Sequence, residues 1–136
     1  MSRLISLILF VIAVPAMAGN TPAPKDAKLY FISPAHGATV TNPVRVVFGL
    51  SGMGVAPAGV NHDKTGHHHL LIDTAVPPAN APIPKDERHL HFGGGQTETR
   101  LTLSPGRHTL QLLLGDFAHV PHHPPVMSEK ITIEVR

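Results

Sequence analysis

The chain has 136 residues, with eleven Lys/Arg against nine Asp/Glu, eleven His, fourteen Pro and no Cys. A net charge of +2 without a Lys/Arg block gives no footprint for nucleic acid. The lack of Cys excludes disulfides, thiolate metal sites and a lipid anchor on an N-terminal Cys.

Taken in chain order, residues 1–18 read as a secretory signal peptide. Arg3 supplies the positive start, Leu4 to Val14 the apolar stretch, and Pro15-Ala16-Met17-Ala18 the small-residue cleavage pattern. The apolar run is short for a membrane span, so export and removal are expected, with a soluble periplasmic or secreted product and no later membrane insertion. Removal leaves 136 − 18 = 118 residues, enough for a single core. Residues 19–27 are Pro- and Ala-rich and read as a disordered leader before a domain spanning 28–136.

Within that domain, β-rich runs at 28–33, 44–50, 67–73, 97–103, 107–114 and 129–135 alternate with Pro/Gly turns. No segment carries a capped helical period, and this pattern predicts an all-β fold, a single immunoglobulin-like β-sandwich with long His-bearing loops. The turn Ser104-Pro105-Gly106 leads into a strand whose alternate residues His108, Leu110, Leu112 and Leu114 share one face. His108 fits a corner role, bonding back to the turn as the corner tyrosine of such sandwiches does. Two long loops, 51–66 and 76–88, each run into a histidine cluster, which favours a functional role for them.

The histidines fall mainly into three groups: His67-His68-His69, His89-Leu90-His91, and His119 with His122-His123. Neutral imidazole is the commonest metal ligand. On a strand, His67 and His69 project to one face and His68 to the other, and alternate positions lie roughly 6.6 Å apart. Two rings leaning together can then share an ion at about 2.0–2.1 Å each. His89 and His91 have the same spacing. The expected ligands are His67, His69, His89, His91 and His119, with His68, His122, His123 and Asp116 as further candidates. Because Leu70 and Ile72 share the face of His68, that face is expected to be the core side, leaving His67 and His69 outward or at a rim. Asp116 fits either a carboxylate that orients an imidazole or a turn residue after Gly115. His36 and His62 read as surface turns, and Gln96, Thr97 and Glu98 as loop caps. Imidazole-dominated ligation suits Cu(II) or Zn(II). A Met-rich Cu(I) site is disfavoured, because only Met53 and Met127 follow residue 18. Any stabilisation by metal is expected to fade below roughly pH 6, since ligating imidazoles must be neutral.

Several motifs together resemble a known family: Phe31-Ile32-Ser33-Pro34, Gly66-His67-His68-His69-Leu70-Leu71-Ile72-Asp73, Leu90-His91-Phe92-Gly93 with Gly95-Gln96-Thr97-Glu98, and His108-Thr109-Leu110-Gln111-Leu112 with Gly115-Asp116 and His119. They resemble the small exported bacterial domain-of-unknown-function family 4399, over residues 29–135. The resemblance implies a single exported domain and supplies no catalytic residues. Three functions are then open. An exported protein could bind Cu(II) or Zn(II) for buffering, delivery or tolerance, with an envelope protein as a possible partner. A periplasmic enzyme could keep an open metal position, with Glu98, Asp73 or Asp116 as base. A metal-free envelope module could use its histidines to stitch loops. No nucleophile elbow or His-Glu-x-x-His helix marks an enzyme, and one Tyr, five Phe and no Trp argue against sugar stacking.

Overall fold

The alternating runs form strands in two sheets, seen in a computed structural model that describes residues 21–136. The expected signal peptide and the first two leader residues lie outside the described residues. The strands are β1 (Lys28–Ser33), β2 (Thr39–Val40), β3 (Val44–Ser51), β4 (Gly54–Val55), β5 (Thr65–Ile72), β6 (His89–His91), β7 (Glu98–Leu101), β8 (Gly106–Gly115) and β9 (Ile131–Val135). The smaller sheet runs β1-β3-β7 and the larger β2-β9-β8-β5-β4, with β6 also on β5. No α-helix occurs among the described residues, and none is long and apolar enough to cross a membrane.

Period-2 alternation explains the core. Val44, Val46 and Phe48 of β3 meet Leu70 and Ile72 of β5, Leu110, Leu112 and Leu114 of β8, and Ile131, Ile133 and Val135 of β9 in one buried cluster. Each such side chain contributes about 1.5–3 kcal/mol when fully buried. Strand β5 is an interior strand of the larger sheet. It pairs with β8 on one edge, and on the other with β4 at Thr65 and Gly66 and with β6 at His69 to Leu71. The sheet's outer face is also covered, since Leu71 and Leu113 form a second apolar cluster with Ile83 from the long 76–88 loop.

That second layer corrects one expectation. His67 and His69 do face away from the main core, yet neither is outward or at a rim, for both have zero exposure. With both faces of β5 buried, alternation along it cannot distinguish inside from outside.

The leader expected to be loose is docked from Thr21 onward. The Ala23 N–H donates to the His123 carbonyl at 3.3 Å, the His123 N–H donates to the Thr21 carbonyl at 2.8 Å, and Ala23 and Ala27 pack on the core. Its prolines pre-set an extended backbone, which suits a strip lying along a sheet as well as it suits disorder.

At the opposite end of β5, His108 makes the expected corner. Its Nε2 bonds the Ser104 carbonyl at 2.8 Å and its Nδ1 bonds Asp73 Oδ2 at 2.6 Å, while the Thr109 N–H donates to Asp73 Oδ1 at 2.8 Å. The Asp73 bond raises the His108 pKa against the opposing effect of burial. Burial works against charge on Asp73, but the Thr109 N–H and the His108 ring outweigh it and hold its carboxyl below the ordinary range. A base with a raised folded pKa loses its contribution as pH climbs through that value, and an acid with a lowered one loses it as pH falls. The pair therefore stabilises most between about pH 4 and 6.5. His108→Ala is expected to cost about 1–2 kcal/mol at pH 5, for Asp73 is partly exposed, and clearly less at pH 9. Urea unfolding at the two pH values checks this, and equal losses at both would rule out the ion pair.

Candidate metal centre

Four imidazoles meet on the outer face of the larger sheet. His67, His69, His91 and His119 each offer a nitrogen, and these four atoms all lie within 4.8 Å of one another. Strand geometry places three of them. His67 and His69 are two apart on β5 and project together, and His91 of β6 lies directly opposite His69 in the antiparallel register. The residue opposite His67 on β8 is Gly115. A Cβ there would stand 2.7 Å from His69 Cε1 and 3.4 Å from His67 Cε1, so only glycine leaves room for both rings. Gly93 plays the same part for His91, whose ring fills the space a side chain would need.

The fourth ring comes from the turn after β8. His119 adopts φ of 65°, a left-handed conformation that a non-glycine residue holds only when its surroundings impose it. Asp116 imposes it. The Asp116 carbonyl accepts from the His119 N–H at 3.0 Å, and its Oδ1 accepts from the N–H groups of Ala118 at 2.8 Å and Val120 at 3.0 Å. Oδ2 takes the hydroxyl of Thr21 at 2.7 Å. Asp116 is thus the turn residue and touches no imidazole through a hydrogen bond.

Polar bookkeeping within this group does not balance from the protein alone. His67 Nε2 and His91 Nε2 are 3.2 Å apart, the one hydrogen-bonding contact inside the cluster. Both nitrogens of His69, Nδ1 of His67 and Nδ1 of His119 are buried without a partner. An unpaired buried polar group costs about 1–3 kcal/mol, so a native fold keeps such groups only when something else satisfies them. The spacing suits an ion, because four ligands at 2.0–2.1 Å in a tetrahedron are about 3.3 Å apart. Ring centroids separated by 4.5 Å (His91–His119) to 6.3 Å (His69–His119) leave the rings tilted and edge-on rather than stacked.

Protonation is resisted too. Burial, then the charges of His119 and His91, lower the His67 pKa to about 4. Burial and the neighbouring His67, His91 and His119 lower His69 to about 3, and burial, then the charges of His119 and Lys85, move His91 the same way. His67 and His69 are therefore neutral at physiological pH, the state a metal needs.

The other sequence candidates sit elsewhere. His89 shares β6 with His91, but its Nδ1 bonds Asp86 Oδ1 at 2.7 Å in the turn before the strand, and it is not among the four converging rings. His68 faces the core, its ring 5.0 Å from that of Phe48, and burial alone lowers its pKa to about 4. His122 is buried with Nε2 on the Thr65 carbonyl at 3.0 Å, and His123 is exposed. His36 and His62 are exposed, as surface turns should be. Gly93 and Gly115, quoted in the sequence only as motif residues, and Thr21, not noted there, support the site. Gly115 carries a readable signal only once β8 is registered against β5.

The carboxylates considered as bases are committed elsewhere. Glu98 pairs with Arg45 at 2.8 Å on the smaller sheet, Asp73 holds His108, and Asp116 holds the turn. Ser104, His108 and Asp73 have the order of a nucleophile, base and acid, with Ser104 Oγ 3.3 Å from His108 Nε2. The resemblance ends there. With Nδ1 on a carboxylate and Nε2 on a carbonyl, both ring nitrogens of His108 are donors, and no lone pair remains to take a serine proton.

No curated protein and no solved structure matches the chain. A family match does exist: the profile described as Domain of unknown function (DUF4399) covers residues 46–136, a span holding all four converging histidines, Gly93 and Gly115, and the chain belongs to that family.

Proposed function

We propose that this is an exported metal-binding domain that holds one Cu(II) or Zn(II) ion on His67, His69, His91 and His119, and serves metal buffering, delivery or tolerance in the periplasm or outside the cell. One observation carries the reading: His69 is wholly buried with neither ring nitrogen partnered, among three further imidazoles whose nitrogens lie within 4.8 Å. Hydrogen bonding alone gives no reason to retain such a residue. Four nitrogens without sulfur or carboxylate suit the borderline divalent ions, and Zn(II) accepts a tetrahedral set readily.

Holding is favoured over turnover, because four protein ligands fill a tetrahedron whereas catalytic sites keep a position open. The corner at His108, with its bond back to Ser104, supports taking the paired sheets as an immunoglobulin-like sandwich.

The test is metal content of untagged protein recovered from the periplasm and measured by mass spectrometry. About one Cu or Zn per chain is expected, against little or none in a His67→Ala, His69→Ala double variant. A wild-type protein that arrives metal-free and binds neither ion in titration would replace this reading with the metal-free envelope module.

A further inference from the structure

Imidazole holds a metal as a neutral ligand, so a divalent ion among these four rings would bring its full charge into a buried place. Charge of that kind is costly unless an opposite charge accompanies it. Among the described residues, Asp116 is the one buried carboxylate, only 3% exposed. Its position is fixed from three sides, by the Ala118 and Val120 N–H groups on Oδ1 and by the Thr21 hydroxyl on Oδ2. All three partners donate, so both carboxylate oxygens serve purely as acceptors. The carboxylate lies at the root of the turn that presents His119, where the Asp116 carbonyl accepts the His119 N–H at 3.0 Å and the Asp116 N–H donates to the Val120 carbonyl at 2.8 Å.

We propose that Asp116 is the specificity-determining residue of the metal centre, a built-in counter-charge that favours divalent over monovalent cations, in addition to shaping the His119 turn. This deepens the metal-binding reading and rests on it. The physical basis is the scaling of Coulomb energy with cation charge. For scale, a unit charge acting across about 10 Å at the effective dielectric of a protein would alter affinity by roughly tenfold per unit of cation charge. Removing it should therefore weaken a divalent ion by roughly the square of the factor for a monovalent one. A residue that only shaped the turn would displace His119 for every ion alike.

Asp116→Asn is the discriminating variant. The amide oxygen can still accept from Ala118 and Val120, and the amide nitrogen can donate to the Thr21 oxygen, so the turn keeps its bonds while the charge is lost. Affinities of the full mature chain for Zn(II) and for Ag(I), a monovalent ion without redox chemistry, are measured by competition titration in chloride-free buffer. The expected result is a loss of about a hundredfold for Zn(II) and about tenfold for Ag(I). Thr21→Val, which removes one hydroxyl and leaves the charge, should change the ratio of the two affinities little. Equal losses for Zn(II) and Ag(I) in Asp116→Asn, or no loss for either, overturn the counter-charge. A wild-type protein that binds neither ion overturns the metal reading itself, an outcome separate from a normal wild type with an unchanged ratio.

Discussion

Replacing His69 by Leu is expected to raise the melting temperature of the metal-free protein and to abolish its response to Zn(II) or Cu(II). The two effects have opposite signs because the residue is costly to folding and valuable to binding. His69 has zero exposure and two unpartnered ring nitrogens. Leu fills a similar space and carries no polar atom, so the variant should gain about 1–3 kcal/mol, or roughly 4–12 °C for a domain of this size. Gly115 still provides the room beneath the side chain. In the wild type, metal at a hundredfold excess over its dissociation constant should add about 2.7 kcal/mol, and about 4.1 kcal/mol at a thousandfold. With one ligand gone and replaced by hydrocarbon, that addition should largely vanish. Thermal unfolding followed by circular dichroism, with and without metal, reads both effects. A histidine that merely supports packing would show the reverse, a less stable variant and no metal response in either protein. Stability exchanged for function in this manner is common at binding sites.

How far the site could be read from sequence varies residue by residue. The pairing of His67 with His69 was legible, because two residues apart on a strand means one face. The contribution of His119 was legible as a candidate through the Gly-Asp-x-x-His motif, but not its left-handed backbone, which depends on Asp116 accepting from Ala118 and Val120. His89 and His91 have identical spacing and cannot be separated by pattern. What separates them is a tertiary fact: His91 lies opposite His69, while Asp86, three residues before His89, captures that ring. The six longer strands follow from alternation. The two-residue β2 and β4 and the three-residue β6 lack the length to show any period, and they pair only because a longer neighbour offers an edge. Burial of the His67/His69 face was hidden for a related reason. Ile83 and the turn that carries His119 cover it from distant parts of the chain.

Acid should unfold the metal-free protein much sooner than it unfolds the metal-bound form. Three consecutive imidazoles on β5 are neutral in the fold: His67 and His68 titrate at about 4 and His69 at about 3, all chiefly through burial. In the unfolded chain each would titrate near 6.5. The unfolded state therefore binds more protons at these three rings between about pH 3 and pH 7, and their contribution to stability falls as pH falls through that window. The contribution is fully present above about 6.5 and drains away as pH drops toward the folded values. Between pH 7 and pH 5 each ring accounts for roughly 2 kcal/mol, on the order of 5 kcal/mol together. A domain has only about 5–15 kcal/mol in total, so the metal-free protein should approach its unfolding midpoint near pH 5. His108, whose pKa is raised, works in the opposite sense but is one group against three. Bound metal holds His67 and His69 neutral, and a proton must displace it before the native state yields. Because burial has already lowered those pKa values, metal stabilisation should persist well below the pH 6 expected for free imidazoles and fade only toward about pH 4. Urea unfolding at pH 7, 6 and 5, with and without Zn(II), measures both curves. The His67→Leu, His69→Leu double variant should flatten the metal-free slope by about two thirds. A metal-free stability that stays level from pH 7 to pH 5 would mean that the β5 imidazoles carry protons in the folded protein, and the neutral, metal-ready cluster would have to be abandoned.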